Sequence, residues 1–293
     1  MASVIITAFN ESKTIGRAIE AFLKQRKFIS EIIVVAPDKA TLNVAEKYKQ
    51  KFSNINLIKD RGNGKPEALN LAVKKSNSEI LILSDGDVFI SDKSVIALMS
   101  LIQKKGIGCV TGRPISTNAR DNIFGFWSNI LTENFHEIRK INSIKNKPFI
   151  ASGYLYAIKK NLMPKIPKNI LADDAYVSSH VLSEGNKIAY SEQAKVFVNY
   201  PTNLRDWISQ KKRTAGRIYQ NNSIKEKLNE LFIEMFMAMK SIRKINSFKE
   251  FIWFTALCIM RGYIWFRVIF DVRLWRRDFN KVWQRVESTK HIN

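Results

Sequence analysis

The sequence predicts an α/β fold: a mostly parallel sheet flanked by helices, followed by a helical, basic C-terminal region. Three observations carry this expectation. Over roughly the first 90 residues, short apolar runs alternate with segments of helical periodicity, the arrangement that joins parallel strands through crossover helices. One apolar run, Ile80-Leu81-Ile82-Leu83, is bounded by polar residues and ends in Ser84-Asp85-Gly86-Asp87, which reads as a strand buried on both faces. Four of the six tryptophans (Trp253, Trp265, Trp275, Trp283) fall among basic residues in the last quarter, where the pattern is helical.

Taken in order, residues 3–8 form an apolar run, and Asn10-Glu11-Ser12 open a helix in which Ile15, Ala18, Ile19 and Phe22 recur at helical spacing. The unit repeats as a strand over 31–36 and a helix over 41–51, then a strand over 55–58 and a helix over 67–75, ahead of the acidic strand. A helix over 92–104, a strand over 107–111 and an amphipathic helix over 122–145, with Phe124, Trp127, Ile130, Leu131 and Phe135, come next. Beyond them the pattern is mixed. Residues 149–158 read as two strands hinged at Gly153, where backbone or substrate approaches closely. Leu171-Ala172-Asp173-Asp174-Ala175 open a helix that runs to Ser183 and stops at Gly185. Strands follow over 187–190 and 195–198, Pro201 ends them, and a helix over 204–220 carries Gln210 and Arg213 three residues apart, on one face.

The formal net charge is +22, and residues 201–293 hold 19 Lys/Arg against 8 Asp/Glu, a surplus of 11 that is half of the total. Such asymmetry points to an anionic partner, with nucleic acid and an anionic membrane surface as the two classes that fit. The two cysteines, Cys109 and Cys258, lie far apart in apolar contexts, so no disulfide framework follows and a reducing compartment is the natural reading. His136, His180 and His291 show no metal-ligand spacing. The chain opens Met-Ala-Ser and goes directly into Val4-Ile5-Ile6, which gives no signal-peptide pattern.

Asp85 and Asp87 sit at a strand's C-terminal end, the edge of an open α/β sheet where ligands bind. Two acids one glycine apart can hold a divalent cation against a diphosphate; a solvated Asp-Gly turn is the plain alternative. Asp173 or Asp174 could equally be an N-cap, and Arg213 a member of a solvated Lys211-Lys212-Arg213 run, although Trp207 and Ile208 suggest that this helix packs on something. Gly62-Asn63-Gly64-Lys65 has the wrong spacing for a phosphate loop and reads as a turn before a helix, and neither G-x-G-x-x-G nor G-x-x-x-x-G-K-[ST] is present.

Together, Val4-Ile5-Ile6-Thr7-Ala8-Phe9-Asn10-Glu11, the Gly64-Lys65 to Ala68-Leu69-Asn70 stretch, Asp85-Gly86-Asp87, Gly153, Asp173-Asp174 and Gln210-Lys211-Lys212-Arg213 resemble a family 2 glycosyltransferase of the GT-A fold, across residues 3–217. The resemblance implies a mixed central sheet flanked by helices, and transfer of a sugar from a nucleoside diphosphate sugar with Mg²⁺ or Mn²⁺. It implies metal ligation by Asp87 and Asp85, and recognition of the donor by Thr7, Asn10, Glu11, Asp38, Lys65 and Asp85. Arg213 is expected on the leaving diphosphate, because its planar donor fork suits phosphate. Asp174 is the expected general base on the acceptor hydroxyl, giving inversion. Gly153, Asp173 and Gln210 are expected on the acceptor side. The family pattern is Q-x-x-R-W, and here Thr214 occupies the tryptophan position, which argues against a polysaccharide synthase, as does the single segment of near-membrane length.

That segment, residues 251–270, is interrupted by Arg261 and Arg267. An arginine near a helix centre costs roughly 2.5–3.5 kcal/mol on insertion scales, and a single span would carry Arg273, Arg276, Arg277, Lys281 and Arg285 away from the nucleotide-sugar side. Tryptophan and basic residues around an apolar strip suit a headgroup interface; a docked helical subdomain with an aromatic core is the other reading. Leu231–Met239 begins this part, with Met235, Met237 and Met239 as packing filler. The expected organisation is a GT-A catalytic domain over 1–200, a linking helix over 201–222 and interfacial amphipathic helices over 223–293. The expected enzyme faces the cytoplasm on a membrane and uses a lipid-linked acceptor, either a polyprenyl phosphate or a sugar already on it. A nucleotidyltransferase on a similar layer is the enzymatic rival; a basic nucleic-acid-binding protein ranks lower, because no recognised nucleic-acid module is present.

Overall fold

The computed structural model describes residues 1–168, 170, 172–221, 233, 235–273 and 289. They fall into two compact units, Met1–Ile115 with His136–Asn199, and Ser116–Phe135 with Tyr200–Thr289.

The first unit holds a mixed eight-stranded sheet. Strands β1 (Ala2–Thr7), β2 (Ile29–Ala36), β3 (Ile55–Lys59) and β4 (Ile80–Asp85) run parallel, side by side in the order β3-β2-β1-β4. Each is followed by a helix or a turn, so their C-terminal ends share one edge: Thr7, Asp38, Asp60 and Asp85 all lie at or just past it. Helices α1 (Ile15–Leu23), α2 (Lys39–Lys49) and α3 (Lys65–Lys75) make the crossovers. The other half of the sheet is not parallel. β7 (Leu155–Lys159) pairs antiparallel with β4 and with β6 (Ile107–Ser116), and β8 (Lys187–Val198) pairs antiparallel with the two-residue β5 (Phe89–Ile90). α4 (Ser94–Ile102) and α6 (Asp173–Ser183) belong to the same unit.

Two expectations are corrected. Residues 149–153 lie outside the ladder and only 155–159 pair, because the Ala151 amide is taken by Ser178 Oγ on α6 (3.0 Å) and the Ser152 amide by Thr111 Oγ1 (2.8 Å). The two short strands expected over 187–198 are one continuous strand, in which Ser191 is buried with its neighbours and Glu192 and Gln193 reach solvent without breaking the ladder.

The core of this unit packs Ile5, Ile33, Leu81, Leu83, Tyr156 and Ile158 of the sheet against Leu69 and Ala72 of α3 and Val177 and Val181 of α6. At the N-terminal edge the sheet is tied by a buried carboxylate. Glu31, 6% exposed on β2, accepts from Ser3 Oγ (2.7 Å), the Asn77 amide (2.7 Å) and Asn56 Nδ2 (3.1 Å). Ser3 Oγ in turn accepts from the Ser78 amide (3.1 Å). One side chain thus links β1, β2, β3 and the approach to β4.

The second unit joins the first half of α5 (Ile123–Ile144) to α7 (Leu204–Asn221) and α8 (Phe248–Arg273). Trp207 is fully buried here, with its ring centroid 5.3 Å from that of Trp127 and 6.3 Å from that of Phe124. Trp127 Nε1 donates to the Trp253 carbonyl at 2.7 Å, and Arg120 makes a two-pronged bond to Glu250 (2.8 and 2.9 Å). The packing expected of the α7 helix from Trp207 is therefore present. Residues 235–241 are helical and a tighter turn follows over Ile242–Lys244; most of the expected start at 231–239 before Met235, and Trp275, Arg276, Arg277, Lys281, Trp283 and Arg285, lie outside the described residues.

Replacing Glu31 by Ala strands the buried Ser3 hydroxyl and removes the acceptor of the part-buried Asn56 and Asn77 donors, and is expected to lower stability by about 1–3 kcal/mol, with Glu31→Gln costing less because part of the acceptor set survives. Urea unfolding midpoints of the two variants against the wild type check this, and equal midpoints would remove Glu31 from the list of tethers.

Candidate active site

The site is built on the shared strand edge. Thr7 ends β1 and Asp85 ends β4, and the two are register partners in the parallel pair, so both side chains lie on the same face of the sheet. Tyr156 is the register partner of Leu83, two residues before Asp85, and takes that face as well. α3 and α6 cover it. The first residue of α3, Lys65, and the first two of α6, Asp173 and Asp174, are delivered there by their helix starts.

Lys65 is the hub. Its ammonium lies 2.6 Å from Asp85 Oδ1 and 3.5 Å from Asp173 Oδ2, and the three side chains are only 15–30% exposed. Burial works against the ammonium, but the charges of Asp173, Asp85 and Asp174 outweigh it and keep Lys65 protonated well beyond the ordinary lysine range. Asp173 is driven the other way. Burial raises its carboxyl and the neighbouring Asp174 and Asp85 add to this, against the pull of Lys65. Three carboxylates thus share one ammonium, and the cluster carries surplus negative charge.

Asp174 is held by its backbone surroundings. Its Oδ2 accepts from the Gly153 amide (3.0 Å) and its Oδ1 from the Ala175 amide (2.8 Å). A Cβ at residue 153 would lie 3.3 Å from that carboxylate, so the glycine lets the loop meet the acid directly. Ser178 Oγ donates to the Asp174 carbonyl (2.6 Å). Neither acid is an N-cap, since Ala172 occupies that position. Asn70 on α3 exchanges two hydrogen bonds with the backbone of Ile166 (2.8 and 2.9 Å) and so anchors the segment that leads to α6.

The Asp85-Gly86-Asp87 turn closes tightly over α1. The Gly86 amide donates to the Thr7 carbonyl (2.9 Å), and a Cβ at Gly86 would come within 2.5 Å of Glu11 Oε2 and 2.7 Å of Ala8 Cβ. Glu11, 6% exposed, therefore lies directly against the turn. This is more than a solvated Asp-Gly turn. Asp38 caps α2: its Oδ1 accepts from the Thr41 amide and its Oδ2 from the Asn10 amide, both at 2.8 Å. Burial pushes this carboxyl up, and the bonds from Thr41 and Asn10 more than offset that, holding it below the usual carboxylate range. Asn10 itself has a left-handed backbone, φ +53°, set by that contact.

Among the described residues no three His, Cys, Asp or Glu side chains form a metal cage. The protein would offer the carboxylates of Asp87 and Asp85 on the two sides of Gly86, all-oxygen donors that suit Mg²⁺ or Mn²⁺, ions whose remaining positions go to water and phosphate oxygens. The surplus negative charge beside that turn fits a divalent cation.

Gln210 and Arg213 belong to α7 in the second unit. Gln210 is 8% exposed and Arg213 half-buried. Lys211 between them is buried, its ammonium 4.7 Å from the Trp207 ring centroid and 5.4 Å from that of Tyr200, so the basic run is not wholly solvated. Tyr156 escaped sequence reasoning. Its hydroxyl is buried without a hydrogen-bond partner, and burial together with the charge of Asp173 keeps it firmly protonated. No local signal marks it, because its place in the site comes from the β4–β7 register.

The chain is 26% identical over 285 residues to the probable glycosyltransferase YdaM of Bacillus subtilis, covering 93% of this chain and 66% of that protein. It is 26% identical over 261 residues to a poly-beta-1,6-N-acetyl-D-glucosamine synthase of Staphylococcus epidermidis, covering 82% of this chain and 61% of the synthase. The chain thus spans somewhat under two thirds of these relatives. The crystal structure of GalNAc-T7 with UDP, GalNAc and Mn²⁺ superposes with a TM-score of 0.55 at 17% identity, over 75% of this chain and 48% of that one; this likeness shows the GT-A fold. Residues 3–166 match the family described as Glycosyl transferase family 2, more than half of the sequence and all of the edge that carries Thr7, Lys65 and Asp85: the chain belongs to glycosyl transferase family 2.

Proposed function

We propose that the chain is the catalytic part of a metal-dependent, inverting glycosyltransferase that moves a sugar from a nucleoside diphosphate sugar to a hydroxyl of a lipid-linked acceptor, at the cytoplasmic face of a membrane. The observation that carries the reading is the convergence of Asp85, Asp173 and Asp174 on Lys65, beside the Asp85-Gly86-Asp87 turn.

The reaction breaks the bond between the anomeric carbon and a diphosphate oxygen. It therefore needs positive charge near the leaving group, a proton acceptor near the incoming hydroxyl and a dry, fixed frame. Lys65, kept charged by its acidic neighbours, presents its ammonium to a donor phosphate or ribose. Asp174, fixed by the Gly153 and Ala175 amides, accepts the acceptor's proton as its oxygen attacks. A divalent cation on Asp87 and Asp85 would neutralise the departing diphosphate; UDP and Mn²⁺ in the GalNAc-T7 structure make UDP-sugars with Mn²⁺ the first pair to try. Thr7, Asn10, Glu11 and Asp38 frame the donor's nucleoside at the strand edge. By family resemblance, Arg213 serves the leaving diphosphate, while Gln210 serves the acceptor with Gly153 and Asp173.

Support for a membrane-bound acceptor is the basic surplus beyond residue 200 and the apolar helix Phe248–Val268, which is long enough to cross a bilayer. A second reading is a polyprenyl-phosphate sugar synthase. An acceptor phosphate is already ionised and needs no base, so the fixed carboxylate of Asp174 favours a hydroxyl. A nucleotidyltransferase would release pyrophosphate, whereas sugar transfer releases nucleoside diphosphate.

Asp174→Asn is expected to lower transfer at least about 1,000-fold while nucleotide-sugar binding, read by calorimetry, stays within a few-fold of the wild type. Full turnover in this variant would take Asp174 out of the reaction and move the reading to a phosphate acceptor. Asp87→Ala is expected to abolish the stabilisation that Mn²⁺ with UDP gives in a thermal melt; an unchanged shift would place the cation elsewhere.

Lys65→Met leaves the acids without their cation, at a cost of roughly 1–3 kcal/mol near neutral pH once partial exposure is discounted. The sign with pH follows from Asp173. A carboxyl whose folded pKa lies above its unfolded value of about 3.9 stabilises fully below that value, and loses this as pH rises through the folded one. Without Lys65 the folded pKa climbs further. The gap in melting temperature between wild type and variant is therefore expected to be wider near pH 7.5 than near pH 5, and a gap independent of pH would deny the coupling.

A further inference from the structure

The helix α8 has two apolar seams. One is buried: Phe254 and Leu257 pack with Phe126, Trp127, Ile130 and Trp207, and Ile264 and Val268 pack with Ala215. The other faces outward. Phe248, Phe251, Ile252, Ile259, Phe266 and Phe270 are 37–78% exposed, and exposed Thr255, Cys258, Gly262 and Tyr263 complete the three- and four-residue steps between them. No charged residue interrupts it. At 1.5 Å per residue, positions 248–270 make a strip roughly 33 Å long. Soluble surfaces rarely leave such a patch open. Arg267 lies on its flank, half-buried, with its guanidinium 6.0 Å from the Tyr263 ring centroid, while the half-buried Arg261, four residues after Leu257 and seven before Val268, lies toward the buried seam.

We infer that α8 lies flat in one leaflet of an anionic membrane, with its Phe248–Phe270 stripe in the lipid and its Phe254–Val268 seam on the protein, so that it embeds without crossing. This rests on the membrane-bound reading above and adds how the membrane is held. Three observations select lipid as the occupant and the plane as the orientation. A lone spanning helix is surrounded by lipid, and among the described residues no second helix is long and apolar enough to span beside it, yet α8 is fastened on one side: Trp127 Nε1 is bonded to its Trp253 carbonyl, and Glu250 to Arg120. Arg261 falls near its midpoint, where a span costs roughly 2.5–3.5 kcal/mol, whereas an in-plane helix with this stripe down keeps it on the protein side, away from the acyl chains. Charge complements the strip as well. Lys240, Arg243, Lys244 and Lys249 cluster at its N-terminal end, Lys240 over the Phe236 ring (4.8 Å) and Lys249 over the Trp253 ring (4.7 Å), beside exposed Met235, Phe236, Met239 and Ile242. Cations above an apolar strip are the composition of an interfacial helix on acidic lipid.

Cys258 supplies the probe, being exposed on the stripe while Cys109 is fully buried. The full chain carries a nitroxide at Cys258, or at Phe251→Cys or Phe266→Cys in a Cys258→Ser background. It is mixed with vesicles of phosphatidylcholine containing about one third phosphatidylglycerol. Collision with oxygen and with a water-soluble nickel complex then reports depth. The expected result is similar depth at 251 and 266, about 5–10 Å below the headgroups, with 258, at the edge of the stripe, no deeper than either, and binding at least tenfold weaker for Phe251→Glu/Ile259→Glu, whose hydrolysis of nucleotide sugar is unchanged. Graded depths with residue 258 deepest would show a span and overturn the inference. So would a label that stays in water on vesicles, or one immobilised without vesicles in a dimer seen by light scattering. That in-plane pattern in a chain that turns over no nucleotide sugar would leave the embedded helix standing and overturn the transferase reading instead.

Discussion

The ammonium of Lys65 is what allows this sheet edge to exist. Three carboxylates brought together without a cation would repel and would be forced to take up protons at neutral pH. With Lys65 2.6 Å from Asp85 and 3.5 Å from Asp173, the cluster stays folded and keeps negative charge to offer. The position of Lys65 follows from the fold: Gly64, at φ +105°, turns the chain, and Pro66, second in α3, brings a ready-made helical φ to the first turn, so the lysine is the first helical residue above the strand ends.

Around this hub the fold uses backbone more than side chains to fix the acids. Asp174 is gripped by two amides, Asp38 by two others, and Gly86 allows Glu11 to approach a turn that any side chain would block. Groups fixed in this way need little rearrangement when charge develops during reaction, which is the condition under which electrostatic stabilisation is worth most. Glu31 plays the corresponding structural part at the opposite edge, tying the same strands.

The second unit solves another problem. Its tryptophans, Trp127 and Trp207, make a compact aromatic core with one side of α8 and leave the other side apolar and open. A helix apolar all round is stable only with partners on every face; here the protein covers one face.

The strand-helix alternation, the buried β4 ending in two acids and the helix with Gln210 and Arg213 were legible from the sequence, because hydrophobic period and chain punctuation are local properties. Glu31 was assigned to a strand but not seen as a tether, since Ser3, Asn56 and Asn77 lie 25 or more residues away along the chain. The break in the ladder at 149–153 depends on Ser178 and Thr111 capturing two amides, and the placement of Tyr156 depends on antiparallel register, so neither had a local signal. Residue types and spacing alone determined the elements that bear the acids, and the motifs on them resembled family 2 glycosyltransferases, the family whose pattern residues 3–166 match. Only the tertiary structure decided which acid meets which base, and which face of α8 is buried, because those depend on contacts between residues distant in sequence.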